Sequence, residues 1–211
     1  MPTTSVKTAV LAEVKSAGDT TRQTLLEAAL EEIHQQGFQA ASLSKILSRT
    51  GLSKGALYHH FPNKKALGYA VVDELIRPMV LHYWLNPIKE AENPIDGFIA
   101  VMASAGCDFS EEEVALGCPL NNLAQEMSSV DEGFRERLEA IYQEWRSGLS
   151  AELERGQNSG FVDKKVQTKR AAIVIVAILE GCIGQAKNSR SLALLHQCGE
   201  GLIEYLNQLR V

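Results

Sequence analysis

The sequence predicts an all-α chain in which a small N-terminal helical unit precedes a larger helical body. Three observations carry this expectation. Apolar residues recur at three- and four-residue spacing behind recognisable caps. One stretch, residues 38–67, reads as two short helices joined by a tight turn. Charge is unevenly divided: the 211 residues carry a net −5, yet residues 1–65 hold eight Lys/Arg against five Asp/Glu, a net of +3, which leaves −8 for residues 66–211. The expected organisation is a mobile tail over residues 1–18, containing Lys7 and Lys15, a three-helix unit over 19–65, and a helical body over 66–211.

Asp19 or Thr20 is placed to cap a first helix running to about Gln36. Its inner stripe is Leu26, Ala29, Leu30 and Ile33, Glu27, Glu31 and Glu32 face out, and Gly37 stops it. Ser42 is placed to cap Leu43–Thr50, where Leu43, Ile46 and Leu47 share a face. Gly51 supplies a left-handed terminus. Ser53 caps Lys54–His60, and Phe61-Pro62 ends it, because a residue before proline avoids the helical region. From Asn63 a longer helix carries Leu67, Val71 and Leu75 inward, and Pro78 is expected to kink or end it.

His82, Tyr83 and Trp84 then either seal a joint or line a cavity. Asn93-Pro94 opens a helix to about Phe109, with Ile95, Phe98, Ile99, Met102 and Cys107 inward. Ser110–Glu113 reads as a solvated acidic link. Gly117-Cys118-Pro119 opens the next helix and sets a thiol at the positive end of its dipole, which can lower a thiol pKa. On chemistry alone, a small buried cysteine beside capping amides is the better account of the same residues. Asn121, Asn122 and Gln125 follow. Asp131 caps a long helix to about Gln157 whose stripe includes Phe134, Leu138, Ile141, Tyr142, Trp145, Leu149 and Leu153. Such a stripe is ordinarily core, with Tyr142 and Trp145 as pocket walls in a ligand-binding reading. Val166–Lys187 is apolar nearly all round, so it is buried on more than one side. Ser189 or Ser191 starts a last helix with Leu192, Leu195, Leu202, Leu206 and Leu209 on one face. Paired with a twin chain, these two helices make a four-helix interface; burial within one chain is the alternative.

Residues 38–65 contain five cations, Lys45, Arg49, Lys54, Lys64 and Lys65, and no carboxylate. A helix-turn-helix of this size lays its second helix in the major groove while surrounding cations neutralise phosphates. Composition alone fits a helical hairpin with a solvated basic face equally well. No phosphate loop, H-E-x-x-H pair or nucleophile elbow is present, and His and Cys show no metal-ligand spacing. No catalytic residue, metal or cofactor is therefore expected. The apolar run Ala171–Leu179 is too short to span a bilayer and Glu180 follows it. The cysteines, at 107, 118, 182 and 198, suggest no disulfide framework, so a cytoplasmic chain with free thiols is expected.

The run G-L-S-K-G-A-L-Y-H-H-F followed by N-K-K-A-L closely resembles the DNA-binding domain of TetR/AcrR-type bacterial repressors. The resemblance implies that Lys54, Gly55, Ala56, Tyr58 and His59 meet bases or nearby phosphates, that Ser42 and Lys64 clamp the backbone, and that Leu57 and Phe61 are core. Lys45 departs from the pattern, since many relatives carry an acid there. The helix after Asn63 becomes, by resemblance, the rod that moves the reading helix. A second segment, Gly-Cys-x-x-x-Asn-Leu-x-Gln-Glu from Gly117, with Gln185-Ala186-Lys187, resembles a subgroup that senses acrylate-like compounds, other electrophiles or oxidants. It implies a switch at Cys118 and Lys187.

The resulting expectation is a homodimeric repressor of a double-stranded DNA operator, dimeric through its last two helices. It is released by a small-molecule effector or by modification of Cys118. Phe98, Met102, Cys118, Asn122, Tyr142 and Trp145 are the expected pocket residues. A sensor acting only through protein partners, or a cysteine-dependent enzyme, are the alternatives.

Overall fold

A computed structural model describes residues 17–211; the side chains of 17–19 and 105–108 are not described. The expected tail over residues 1–18, with Lys7 and Lys15, lies almost wholly outside the described residues, as do the Asp19 and Cys107 side chains. The chain divides into two compact units, Met1–Met79 and Val80–Val211. The first extends past residue 65 because the helix after Asn63 packs on the first helix.

In the first unit, α1 (Ala17–Gln36) starts ahead of the expected cap and ends at Gly37, whose φ of 80° is left-handed. Leu25, Leu26, Ala29 and Ile33 are buried, and α1 packs across α2 (Leu43–Thr50), α3 (Lys54–His60) and α4 (Lys64–Val71). Glu32 corrects the expectation that it faces out: it is 1% exposed. One carboxylate oxygen accepts the Ser42 backbone N–H at 3.3 Å. The other lies 3.3 Å from Arg49 Nη2 without hydrogen-bond alignment, an ion pair held by charge. One carboxylate on α1 therefore fixes the start of α2. Ser42 occupies the N-cap of α2 but does not cap it with its side chain; its Oγ sits 2.7 Å from Ser44 Oγ.

Asn63 caps α4, its Oδ1 accepting from Ala66 N at 2.8 Å. Pro78, expected to kink or end this helix, does not end it. The chain instead widens into one π turn, Val72–Ile76, and continues as α5 (Arg77–Glu90). A π turn inserts one residue into the helical phase. The inward position accordingly moves from the expected Leu75, which is half-buried, to Ile76, which is 0% exposed. Pro78, having no N–H to donate, falls in the first turn after the π segment.

The second unit contains the rest of α5 with α6 (Pro94–Asp108), α7 (Glu111–Leu116), α8 (Pro119–Met127), α9 (Glu132–Asn158), α10 (Thr168–Ser189) and α11 (Leu192–Asn207). α5 runs through Pro87 and closes at Glu90. Its Trp84 stacks on Trp145 of α9, ring centroids 5.9 Å apart; Tyr83 is half-buried and His82 exposed, so the three do not line one cavity. Ser110–Glu113 is not a loose link: Ser110 and Glu113 form a reciprocal capping box that starts α7. Asp131 caps α9, and Phe134, Leu138, Ile141, Trp145, Leu149 and Leu153 are each at most 1% exposed. By length and composition α10 could cross a membrane; in this structure it packs against α9 and α11 and partly against α7. Among the described residues no strand forms, and an isolated bridge, Val162 to Arg210, ties down the C-terminus.

Arg155 closes the carboxyl end of α5. Its guanidinium donates to the carbonyls of Ile88 at 3.1 Å, Ala91 at 2.9 Å and Glu92 at 2.9 Å. These are carbonyls that a helix end leaves without partners. Arg155→Met keeps the aliphatic stem and removes the donors. It should lower unfolding stability by about 2 kcal/mol, read as a reduced denaturation midpoint with an unchanged helical far-UV signal.

Candidate functional site

In the first unit, α3 has two chemically distinct faces. Ser53 Oγ accepts from Ala56 N at 3.1 Å and starts the helix. Leu57 and Phe61, 0% and 2% exposed, turn inward, and the Arg22 guanidinium lies 5.0 Å over the Phe61 ring. Arg22 is itself paired with Glu74. Lys54, Gly55, Tyr58 and His59 are exposed, and Ala56 is half-buried. The Lys54 ammonium sits 5.7 Å from the Tyr58 ring. A side chain at Gly55 would meet only Ser53 Oγ, at 3.7 Å, so the chain's own packing does not require glycine there. The face is small, cationic and open, held by an apolar face opposite.

The surrounding cations are less available than their number suggests. Arg49 is paired with Glu31 and Glu32, and Lys45 lies 3.9 Å from Glu32. Lys64 donates to the Gln39 carbonyl at 2.9 Å and lies 4.9 Å over the Phe38 ring. It thereby closes the turn before α2.

In the second unit, the six expected pocket residues do not converge. Phe98 and Trp145 are core, each 1% exposed. Asn122 is a strut: its amide donates to Leu116 O at 2.8 Å and its Oδ1 accepts from Lys187 Nζ at 2.8 Å. Met102 alone of the six lines a cavity of about 300 Å³, together with Trp84, Phe109 and Leu179. A second, more polar cleft of about 690 Å³ is lined by Asn121, Gln125, Glu180 and Gln185 among others.

Cys118 and Tyr142 meet instead at Glu180, a residue that sequence reasoning treated only as the end of an apolar run. Glu180 is 7% exposed. Its Oε1 accepts from Cys118 Sγ at 3.4 Å and from Tyr142 OH at 3.5 Å, while Oε2 is buried without a hydrogen-bond partner. Burial raises the Glu180 carboxyl to about 7, and the donors on Cys118 and Tyr142 pull back against it. The signal in the sequence was a single carboxylate inside an otherwise apolar helix.

The same contact acts on the thiol. Cys118 does sit at the N-cap of α8, with Pro119 at the first position. Backbone N–H groups of Asn121 and Leu120 lower its pKa, as a helix start should. Burial is larger, and the Glu180 carboxylate adds to it, so the thiol is raised well above its ordinary range. Lys187 reaches the same segment but not the sulfur. Its stem crosses Gly117, where a Cβ would lie 2.8 Å from Lys187 Cδ and where φ is 71°, and its ammonium faces Asn122.

Residues 25–71 match the family description of bacterial regulatory proteins, tetR family, and residues 94–201 match that of the transcriptional regulator LmrA/YxaF-like C-terminal domain. The chain is 31% identical to the HTH-type transcriptional regulator LmrA of Bacillus subtilis over 193 residues, covering 90% of this chain and 99% of that one. It resembles the crystal structure of a TetR transcriptional regulator from Chloroflexus aurantiacus, with a TM-score of 0.80, 26% identity and coverage of 92% and 97%. It also resembles the reduced form of Escherichia coli NemR, with a TM-score of 0.77, 25% identity and coverage of 90% and 97%.

A carboxyl raised in the folded state binds its proton more tightly there than in the unfolded chain. The ionised form is therefore penalised above about pH 7, and the penalty vanishes below the ordinary value of 4.5. Relative to Glu180→Gln, the unsubstituted protein should lose up to roughly 3 kcal/mol between pH 4.5 and pH 8, measured by chemical denaturation across that range. The same substitution should speed alkylation of Cys118, read by peptide mass spectrometry, because it removes the adjacent negative charge.

Proposed function

This chain belongs to the tetR family of bacterial regulatory proteins, and from that premise we propose that it is a homodimeric repressor released from a near-palindromic operator by a small molecule. It is a DNA-binding transcriptional regulator; the symmetry, the operator form and the release are our reading. The observation that carries the reading is α3. Its inward Leu57 and Phe61 hold an outward face of Lys54, Gly55, Tyr58 and His59. A helix of this kind enters the major groove with its first residues toward the bases. Gly55 gives the backbone close approach there, Lys54 and Tyr58 serve bases or phosphates, and Ser42 and Lys64 border the groove.

Two such helices, about 34–36 Å apart, would fit successive major grooves. Dimerisation is assigned to α10 and α11. On α10 the stripe Ile173, Ala177 and Gly181 is exposed, Ile173 by 54%, and a Cβ at Gly181 would meet nothing within 4 Å. An apolar, shallow stripe of this kind suits a second copy of the same helix. The apolar cavity beside Trp84 and Met102, at the small end of the range for ligand pockets, is the effector site in this reading. The effector acts by binding more tightly to a spacing that no longer fits the operator, and the chain passes from one unit to the other within α5.

Release by modification of Cys118 is a second reading, supported by similarity to NemR, whose structure is described as a reduced form. The raised thiol argues against fast reaction near neutral pH, and acidification does not relieve this, since it lowers the thiolate fraction further.

Binding to a labelled fragment upstream of the chain's own gene tests the reading. Lys54→Ala and Tyr58→Ala should each weaken specific binding by about tenfold or more, and Lys54→Ala should reduce the salt slope by about 1. No preference for that fragment over random DNA at moderate salt would overturn it. Ile173→Glu should shift the protein from dimer to monomer in sedimentation equilibrium and weaken operator binding with the helical signal kept.

A further inference from the structure

Two of the cysteines line the cavity assigned above to the effector, so the inference that follows deepens that reading. Cys182 lies on α10 and Cys198 on α11, helices that pack on each other. On α10, Leu179, Cys182 and Ile183 share a face at three- and four-residue spacing; on α11, Leu195, Cys198 and Gly199 do the same. Both cysteines line the cavity of about 300 Å³ that also presents Met102 and Trp84. Both are free thiols and half-buried. Burial, and then the Cys198 thiol within hydrogen-bonding reach, push Cys182 up to about 12. A thiol held protonated is a slow nucleophile toward oxidants, which need the thiolate. Two sulfurs facing one apolar space nevertheless form a soft donor pair, and soft sulfur donors select soft centres.

We propose that Cys182 and Cys198 form a two-sulfur site that captures a trivalent organoarsenical entering this cavity, with its organic group against the apolar wall. The chemistry balances without an oxidant or reductant. An arsine oxide, R–As=O, meets two thiols; two As–S bonds form and the As=O bond breaks. Both thiol protons leave with the oxygen as one water, and arsenic stays trivalent. The second As–S bond forms within the complex at high effective concentration, so a bound arsenical leaves far more slowly than from one thiol. Cys118 does not compete as a pair, since its sulfur faces Glu180 and it does not line this cavity.

The test uses the full-length protein and phenylarsine oxide, with intact mass as the readout, so its outcome is independent of DNA binding. One adduct per chain should survive excess 2-mercaptoethanol and be removed by dithiothreitol. Cys182→Ser or Cys198→Ser should make the adduct labile to the monothiol, with loss on the order of a hundredfold faster, while Cys118→Ser and Cys107→Ser should leave it unchanged. Far-UV spectra establish that each variant is folded. In the unsubstituted protein, the bound probe should shield the Cys182 and Cys198 peptides from iodoacetamide and leave the Cys118 peptide labelled. The proposal fails if no monothiol-resistant adduct forms, if the adduct persists in Cys182→Ser, or if Cys118 is the peptide shielded.

Discussion

A helix that is apolar nearly all round has to be covered, and α10 imposes that requirement on the whole second unit. Ala171, Ala172, Ile175, Val176 and Leu179 are all buried, which takes contacts from both α9 and α11 and a partial cover from α7. At roughly 25 cal/mol per Å² of apolar surface removed from water, such burial outweighs any single polar contact in the unit. It also draws Glu180 into the interior, because the next turn of the same helix continues into the core. The Ile173–Ala177–Gly181 stripe is the one face that α9 and α11 leave uncovered, and the proposed dimer follows from that remainder.

The two buried carboxylates illustrate opposite solutions to one problem. An ionised group inside a protein needs compensating charge or donors. Glu32 has a backbone N–H, Arg49 and Lys45 around it, so it works as a charged anchor that sets α2 against α1 and thereby presents α3. Glu180 has only a thiol and a phenol, with one oxygen unpartnered. These weak donors do not offset burial, so its proton affinity rises, and the same field raises Cys118. The thiol at a helix start thus behaves oppositely to a thiol at an exposed helix start, because desolvation outweighs the dipole here.

Much of the fold was legible because it depends on local chemistry. Ser53, Asn63, Asp131 and Ser191 cap helices as read, and Gly37 and Gly51 end them with positive φ, since these residues act on their immediate neighbours. Of the differences, the one at Glu32 turned on distant partners, while those at Pro78 and at Ser110–Glu113 were local. Pro78 does not end its helix, because a π turn just ahead of it absorbs the missing donor and shifts the inward position to Ile76. Glu32 reads as solvated because nothing nearby in the sequence reveals Arg49 and the Ser42 N–H. Ser110–Glu113 reads as a link because a run of acidic residues also suits a solvated loop, although the capping box there is local.

By itself, the sequence determined the helices, their order, the inward faces of α3 and α9, and the motif that identifies the family. These rest on spacing, capping and residue type, which are properties of short stretches. Only the tertiary structure decided which polar groups share an interior. It separated Phe98, Asn122 and Trp145 from any common pocket, gathered Cys118 and Tyr142 around Glu180, and set Cys182 against Cys198 across two helices. Such pairings join residues far apart in the chain, and periodicity places a residue on a face without saying which face it meets.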